Sequence, residues 1–512
     1  MTDRVTSAYE HALQAAYYHI GNRGICVNVP RIVEAKAIVK SEIKRQLAIA
    51  SNQWGCKVFV GASNAPVLPK SLPTTLHTPE ELDLLDSVSP GGSAVNLNAT
   101  QGKYALLNKL RELGYEVVKI TKKNTEGDYD QSYSTGELAL QKMLSKNQFN
   151  YPGGDPAIRA ILKIRELGKL YSSYLNARLL NMEGQSFFLS NYNVAGTLTG
   201  RRSSRRHTFG FGNNAQNFPK HSDVANLYRR CLVARPGNIF LMVDQVSAED
   251  WPVSALSENC QALKELRDDT DVYGRHTRLA SVIFGIPLSA KTPGEWKDSM
   301  ERYLGKKTRH ASNYDMKAGR MSDALAQEGF SFSEADCQVL LRKVAEHDPS
   351  VQKVFHKYVQ DQISKTHMLV TPFGRERQFL DARPNDSNAT VFKEAYAYIP
   401  QSVVGDNTGF ALLKLESDYG VQERFIVQEG HDSIVQDIRD DVETVYKYSL
   451  RTAAAFDRSI KFHNGIEVNI PIEVELGYDF QTTVKIKEIS RAGIKQAMEK
   501  LQDKLAALEP KQ

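Results

Sequence analysis

Cysteine is scarce in this chain of 512 residues: Cys26, Cys56, Cys231, Cys260 and Cys337 are the whole complement, and no two form a CxxC pair. Such scatter excludes a disulfide framework and offers no zinc-site spacing, so a reducing, cytoplasmic setting is expected. Long apolar runs are missing too. No segment approaches about 18 consecutive apolar residues, and the amino terminus lacks a basic stretch followed by an apolar one, so neither export nor membrane spanning is expected. Charge of one sign is barely in excess. Lysine and arginine outnumber acids by 65 to 60, a net +5, which is compatible with a phosphate-rich partner without demanding one. Internal repeats and long low-complexity tracts are likewise lacking.

What is there reads as a mixed chain with several structural units. From Thr6 to Asn52 the pattern predicts helices broken at Gly21-Asn22-Arg23-Gly24, a short strand at Ile25 to Val29, and Pro30 opening a lysine-rich amphipathic helix to about Ser51. A loop follows from Pro66 to Ser93, then helices near Thr100 to Leu113, Ser134 to Ser145 and Pro156 to Leu180. The run Asn238-Ile-Phe-Leu-Met-Val-Asp244 suits a buried strand with a carboxylate at its end. Residues Phe425 to Ile438 suit a hairpin whose turn, Glu429-Gly430-His431-Asp432, puts a second carboxylate near the tip. The charged, mostly helical stretch between them reads as an inserted subdomain. A strand pair is expected near Ile466 to Tyr478, and Ile489, Ile494, Met498, Leu501, Leu505 and Leu508 recur at helical spacing in the tail.

Three clusters could carry chemistry. Asp244 and Asp432, far apart in sequence, could meet on one sheet face and share two magnesium ions, which suits in-line phosphoryl transfer; strand-end caps would show the same pattern. A helix expected to start after Leu304 would align Lys306, His310, Tyr314 and Lys317, cations for a triphosphate and a ring for base and sugar. A solvated basic face meets that pattern equally. The loop Thr199-Gly-Arg201-Arg-Ser-Ser204 with Asn214-Ala-Gln216-Asn217-Phe-Pro219 suits close approach to nucleic-acid phosphates and groove edges, or a plain polar turn.

The order and wording of these segments resemble the family A DNA polymerases, the relatives of bacterial DNA polymerase I. TGRRSS…NAQNFP followed by LMVDQVSAED resembles the family's template-contact loop and first carboxylate motif; KKTRHASNYDMKAGRMS its nucleotide-binding fingers helix; TPFGRERQ a following turn; YIPQSVVGD the motif with a template-contacting glutamine; GHDSIVQD the second carboxylate hairpin. His276-Thr277 with Phe284-Gly285-Ile-Pro287 resembles the start of the fingers, and NLNATQGKYALLNKLRELG and AILKIRELGKLYSSY read like the thumb and its lead into the palm. The resemblance runs from about residue 8 to 487. It implies an α+β right-hand polymerase fold, with an antiparallel palm sheet, a helical thumb and helical fingers. The implied parts are residues 1–30 as start of palm, 31–190 as thumb and lead into palm, 191–259 as palm with the first carboxylate, 260–395 as fingers, 396–487 as palm with the second carboxylate, and 488–512 as a helical tail.

Carried over residue by residue, the resemblance makes Asp244 and Asp432 metal ligands with help from the backbone carbonyl of Gln245, for two Mg2+ ions that Mn2+ can replace. It implies that His431 contacts the primer end, that Glu249 crowds a ribose 2′-hydroxyl, and that Tyr314 stacks on the incoming nucleotide and tolerates a missing 3′-hydroxyl. His276, Lys306 and His310 would meet the triphosphate, with His310 where the family usually has a catalytic lysine. Arg201 and Gln401 would read the minor groove, where acceptors common to all base pairs report geometry without sequence preference; Gln216 and Asn217 belong to the same DNA-contacting motif, and Lys393 would touch template backbone. Ala318 stands where the family usually has a tyrosine, and Ser433 where it commonly has a glutamate. Those departures suggest a divergent, virus-encoded branch acting in a bacterium or infected host cell.

The function implied is a DNA-dependent DNA polymerase that adds dNTPs to a primer–template by two-metal nucleotidyl transfer. No early DxE pair is present, so no intrinsic proofreading is expected, and a separate exonuclease, helicase or processivity factor would be the protein partners. A catalytically impaired accessory subunit that binds primer–template, an RNA polymerase and a reverse transcriptase are the competing readings.

Overall fold

A computed structural model describes residues 4–60, 95–97, 100–117, 119–123, 129–146, 155–220, 222–268, 272–382, 390–418 and 425–508. The expected loop Pro66 to Ser93 lies outside them. No described helix is long and apolar enough to cross a membrane.

Two compact units are present: residues 1–32, 177–318 and 338–512 form one, and residues 33–176 with 319–337 form the other. The smaller unit is mainly helical. Val29–Trp54, the expected amphipathic helix, buries Val39, Ile43, Leu47 and Trp54 along one stripe. Trp54 Nε1 donates to Asp155 Oδ2 (3.3 Å), and the same carboxylate caps the helix Pro156–Leu170 by accepting from Ala157 N (2.7 Å). That helix is shorter than its sequence pattern suggests. It gives way to a π-helical turn at Tyr171–Leu175, and Leu180–Met182 is captured instead by antiparallel pairing with Gln185–Phe188.

The larger unit is built on a five-stranded antiparallel sheet in the order Ile426–Glu429, Ser433–Arg439, Asn238–Gln245, Ile472–Gly477, Thr483–Lys485. The central strand explains its own composition. Ile239, Leu241 and Val243 join the main core on one face, while Phe240 meets Phe480 edge-on at 5.0 Å on the other, so a nearly continuous apolar run is required. The strand pair expected near residues 466–478 is corrected: Glu467–Val468 pairs with Ile460–Lys461 in a separate hairpin, and only Ile472–Gly477 joins the main sheet. The tail forms a helix, Arg491–Ala506, with Ile494, Ala497 and Leu501 buried.

Across the sheet lies the helix Thr390–Asp418, apolar nearly all round and correspondingly buried. Its polar residues Ser402, Asp406, Asn407 and Thr408 are fully buried as well, and each reaches something specific. Gly405 and Gly409, one turn apart, admit foreign groups to its surface: a Cβ on Gly409 would stand 2.2 Å from the Tyr9 hydroxyl and 2.6 Å from Arg202 Nη2. Glycine weakens a helix interior by roughly 1 kcal/mol relative to alanine, so the close approach is the reason for both.

Candidate active site

Register brings the two acids together. Asp244 is the penultimate residue of the central strand and pairs across the ladder with Ser433, so Asp432 is its neighbour at the hairpin mouth; Gln245 N donates to Asp432 O at 3.0 Å. A tight turn holds Asp432 there. Gly430 N donates to Ser433 O (2.8 Å), leaving His431 and Asp432 as the loop, and His431 has φ +73°. Positive φ at the first residue of a two-residue hairpin loop is ordinarily a glycine position, and a side chain held there marks strain of the kind found at functional sites. Polar bonds to the long helix fix the back of the turn: Thr408 Oγ1 donates to His431 O (2.9 Å), Gln245 Nε2 to Thr408 Oγ1 (2.8 Å), and Asn407 Nδ2 to Gln245 Oε1 (2.7 Å).

Asp244 opens into a cavity of about 480 Å³ that Gln216, Lys220, Ser433, Glu473 and Glu475 also line. Burial, the neighbouring Asp432 and then Glu473 push the Asp244 carboxyl up to about 7; burial raises Asp432 too, while Arg201 and Lys220 oppose the rise. Among the described residues no three of His, Cys, Asp and Glu are grouped closely enough to hold a metal. Two hard carboxylates nevertheless fit magnesium, which commonly takes one or two carboxylates and fills its octahedron with water and substrate phosphate.

A carboxyl whose folded pKa lies above its unfolded value of about 3.9 keeps a proton that the unfolded chain has lost, so its contribution to stability falls as pH rises from about 4 to 7. Asp244→Asn is therefore expected to melt a few degrees above the unsubstituted chain at neutral pH in metal-free buffer, with the advantage shrinking as pH is lowered toward 4. Added manganese should raise the melting temperature of the unsubstituted chain and hardly move the variant. Calorimetry showing the same melting temperature for both chains across that range would refute the raised Asp244 carboxyl.

Around this pair stand the other sequence-derived residues. Arg201 forms an ion pair with Glu249, and the Tyr314 hydroxyl donates to the second oxygen of the same carboxylate. Gln216 Nε2 donates to Glu429 Oε2 (2.7 Å), and Glu429 accepts from His431 N (2.8 Å), tying the NAQNFP segment to the hairpin turn. Glu429 is wholly buried, and burial drives its carboxyl up to about 7 against the pull of Arg202 and Gln216. Burial, then Arg201 and Arg202, push the His431 imidazole down to about 4, so it is neutral at pH 7, and its buried Nδ1 has no hydrogen-bond partner. Ser402 Oγ donates to Thr199 O (2.6 Å), which sets Gln401 beside the Arg201 loop. Lys393 lies two turns earlier on the same helix, and Asn217 is exposed.

The basic helix needs correction. It runs from Met300 to Asn313, starting before Leu304, with Ser299 accepting from Arg302 N (3.2 Å) as its cap. Lys306 and His310 share a face as expected, and Arg302 belongs with them, a residue the sequence reading missed although Ser299 signals the earlier start. Tyr314 and Lys317 are off the helix. Asp315 N bonds Ser312 O (3.3 Å), Met316 N bonds Ala311 O (2.8 Å), and Asp315 takes φ +50°, the Schellman ending with aspartate in place of glycine. His356 Nε2 then bonds the terminal carbonyl of Asn313 at 2.9 Å. The break turns Tyr314 toward Glu249. Nor do the neighbouring cations supplement His310: Arg309 is buried against Asp348 (3.4 Å), and Lys317 pairs with Asp315 (2.9 Å).

His276 lies on the adjoining helix Arg275–Phe284, brought close because Gly305 packs on Ala280 and on the His276 carbonyl. Burial drives its imidazole down to about 4 despite Asp250 at 3.9 Å, with Arg309 and Lys306 pushing the same way. Burial also opposes ionisation of Asp250, but Arg275 and His276 outweigh it and hold that carboxyl below the usual range. Lys220, Glu429 and Glu473 are further site residues absent from the sequence reading. Lys220 directly follows NAQNFP and Glu429 opens the hairpin turn itself, whereas Glu473 carries no local signal, because only strand register brings it in.

The chain resembles known proteins over most of its length. Residues 90–482 match the family model described as DNA polymerase family A. The DNA polymerase of Bacillus phage SP01 is 22% identical over 466 residues, covering 86% of this chain and 46% of that protein. DNA polymerase I of Treponema pallidum (strain Nichols) is 25% identical over 362 residues (69% and 32%), and the DNA polymerase of Escherichia phage T5 is 24% identical over 393 (72% and 44%). The chain thus spans less than half the length of each of these relatives. Among solved structures, the POL domain of Pol1 from M. smegmatis, in complex with DNA primer-template and dNTP, superposes with a TM-score of 0.66 at 18% identity, covering 92% of this chain and 70% of that one. That likeness establishes the fold as that of a family A POL domain.

Proposed function

The chain belongs to DNA polymerase family A, and from that premise we propose that it is a DNA-directed DNA polymerase that adds dNTPs to the 3′ end of a primer on a template strand, with Asp244 and Asp432 as ligands for two magnesium ions. The observation that carries this reading is the bond from Gln245 N to Asp432 O (3.0 Å), which joins the end of the Asp244 strand to the hairpin turn and so keeps Asp432 near enough to raise the Asp244 carboxyl. When bound there, divalent cations activate the attacking 3′-hydroxyl and stabilise the leaving oxygen.

The chain's own residues do the positioning. His431, neutral at pH 7, is assigned to the primer end. Arg302, Lys306 and His310 present a cationic face for the triphosphate, and His276 adds a neutral donor. Arg201, Gln216, Asn217, Gln401 and Lys393 are assigned to primer and template, and the carbonyl of Gln245 to a metal. Purified chain given primer–template, magnesium and dNTPs should lengthen the primer, and should fail with rNTPs. Failure with dNTPs alongside tight duplex binding would instead favour an accessory subunit.

Sugar selection follows from the carboxylate shared by Tyr314 and Arg201. Glu249 anchored at both oxygens is a rigid wall against a 2′-hydroxyl. In Tyr314→Phe one anchor is lost, a hydrogen bond to a charged acceptor of ~1.5 kcal/mol, so discrimination against rNTPs, read as the ratio of kcat/KM values, is expected to fall roughly tenfold. The same variant should reject dideoxynucleotides more strongly. An unchanged rNTP ratio would show that Arg201 alone holds the wall.

A further inference from the structure

Between Ser204 and Gln216 the chain makes an excursion whose ends are pinned together. Ser204 Oγ donates to Asn214 Oδ1 (2.5 Å) and accepts from Gln216 N (3.1 Å). Inside it, Gly210 N donates to His207 O (2.8 Å) and His207 N to Phe211 O (3.1 Å), with Gly210 at φ +79°. The base of this turn is packed. His207 is buried, the Arg178 guanidinium lies 4.5 Å from the centre of the Phe211 ring, and Gly212 sits so close to Leu189 that a Cβ would meet its carbonyl oxygen at 1.8 Å.

The tip is the reverse. Phe209 is 72% exposed, and Arg205, Arg206 and Thr208 are exposed beside it. Among the described residues neither guanidinium forms an ion pair or a side-chain hydrogen bond. One exposed apolar side chain needs no explanation by itself. Here, however, a hydrogen-bonded turn presents an exposed aromatic ring a few residues from two exposed cations, the pairing that nucleic acid meets with a phosphate and a flat sugar–base surface. The strand Ser203–Arg205 carries this turn away from Arg201. Four extended residues span no more than about 14 Å, or about four steps of a duplex that rises 3.4 Å per nucleotide of each strand.

We propose that the turn Arg205–Phe211 is a further nucleic-acid contact, in which Arg205 and Arg206 bind phosphates of the primer–template duplex and the Phe209 ring packs on a deoxyribose or base face within about four base pairs of the Arg201 contact. It rests on the polymerase reading, and the experiment separates the two. Binding of a labelled primer–template is followed by fluorescence anisotropy across a salt series for the unsubstituted chain, Phe209→Ala, Phe209→Trp and Arg205→Ala/Arg206→Ala, beside a primer-extension assay.

Two lost phosphate contacts should flatten the slope of log Kd against log salt by about 1.8. Phe209→Ala should weaken binding about five- to tenfold without changing the slope, and Phe209→Trp should restore it. Because these side chains are exposed, the variants should melt with the unsubstituted chain, which separates loss of contact from loss of fold. If that chain extends primers while all variants bind as it does, with the same slope, the turn is overturned and the polymerase reading stands. If it neither binds nor extends primer–template, both are overturned.

Discussion

Asp432→Asn is expected to lower single-turnover dNTP incorporation roughly a thousandfold, equivalent to ~4 kcal/mol of transition-state stabilisation, while primer–template affinity changes by less than about twofold. Neutralising one of two adjacent carboxylates removes charge needed to hold a divalent cation, yet asparagine keeps the shape of the turn. The backbone supports this separation: Asp432 is held through its carbonyl by Gln245 N, and the turn through Gly430 N to Ser433 O, none of which needs the carboxylate. Rapid-quench measurement beside an anisotropy titration decides it. A variant that incorporates within tenfold of the unsubstituted chain would remove Asp432 from the chemistry, and one that also loses DNA would point to a misfolded turn.

The second large effect concerns stability. Arg202 and Asp406 are both fully buried and meet at 3.3 Å; Arg375 grips the same carboxylate through Nε (2.8 Å) and Nη2 (2.7 Å) and reaches Glu10 at 2.5 Å. Arg202 Nη2 also donates to the Tyr9 hydroxyl (2.7 Å), while its Nε and Nη1 have no partner. Asp406 thus serves both guanidiniums, and Glu10 is a second partner for Arg375 alone. Asp406→Ala leaves a buried cation uncompensated and should cost about 3–5 kcal/mol, a large part of the ~5–15 kcal/mol that separates a folded domain from its unfolded chain. Arg202→Leu should cost far less, because Asp406 keeps Arg375 and an imperfectly satisfied cation gives way to apolar contact. Denaturant titrations of both variants test the asymmetry, and equal losses would contradict it. Since Arg202 adjoins Arg201, and Asp406 lies on the helix that supports His431, Asp406→Ala should also loosen the site.

The likeness of individual segments was legible because the relevant signals are local. An apolar run ending in aspartate announces Asn238–Gln245, and Glu429-Gly430-His431-Asp432 between apolar strands announces the hairpin. Where a boundary depended on something distant, the pattern misled. The helix Met300–Asn313 ends because Asp315 accepts a left-handed conformation and His356, 43 residues away in sequence, takes its last carbonyl. Continuing the helical period through Tyr314 therefore put that ring on the wrong face.

By itself the sequence determined which residues were available for chemistry: two carboxylates at strand ends, a cationic helix face, a glutamate five positions beyond Asp244, and an order of motifs that marks the family. Composition and spacing suffice for that, since strand and turn preferences act over a few neighbours. Tertiary structure alone decided the partnerships. Asp244 faces Ser433 and Glu473 because antiparallel register pairs those strands. Glu249 is shared by Arg201 and Tyr314 because the helix ends at Asn313, before Tyr314, and Asp406 meets Arg202 where glycines at 405 and 409 let that side chain in. Each of these contacts joins residues tens to hundreds of positions apart, and their energies depend on burial, which no local pattern encodes.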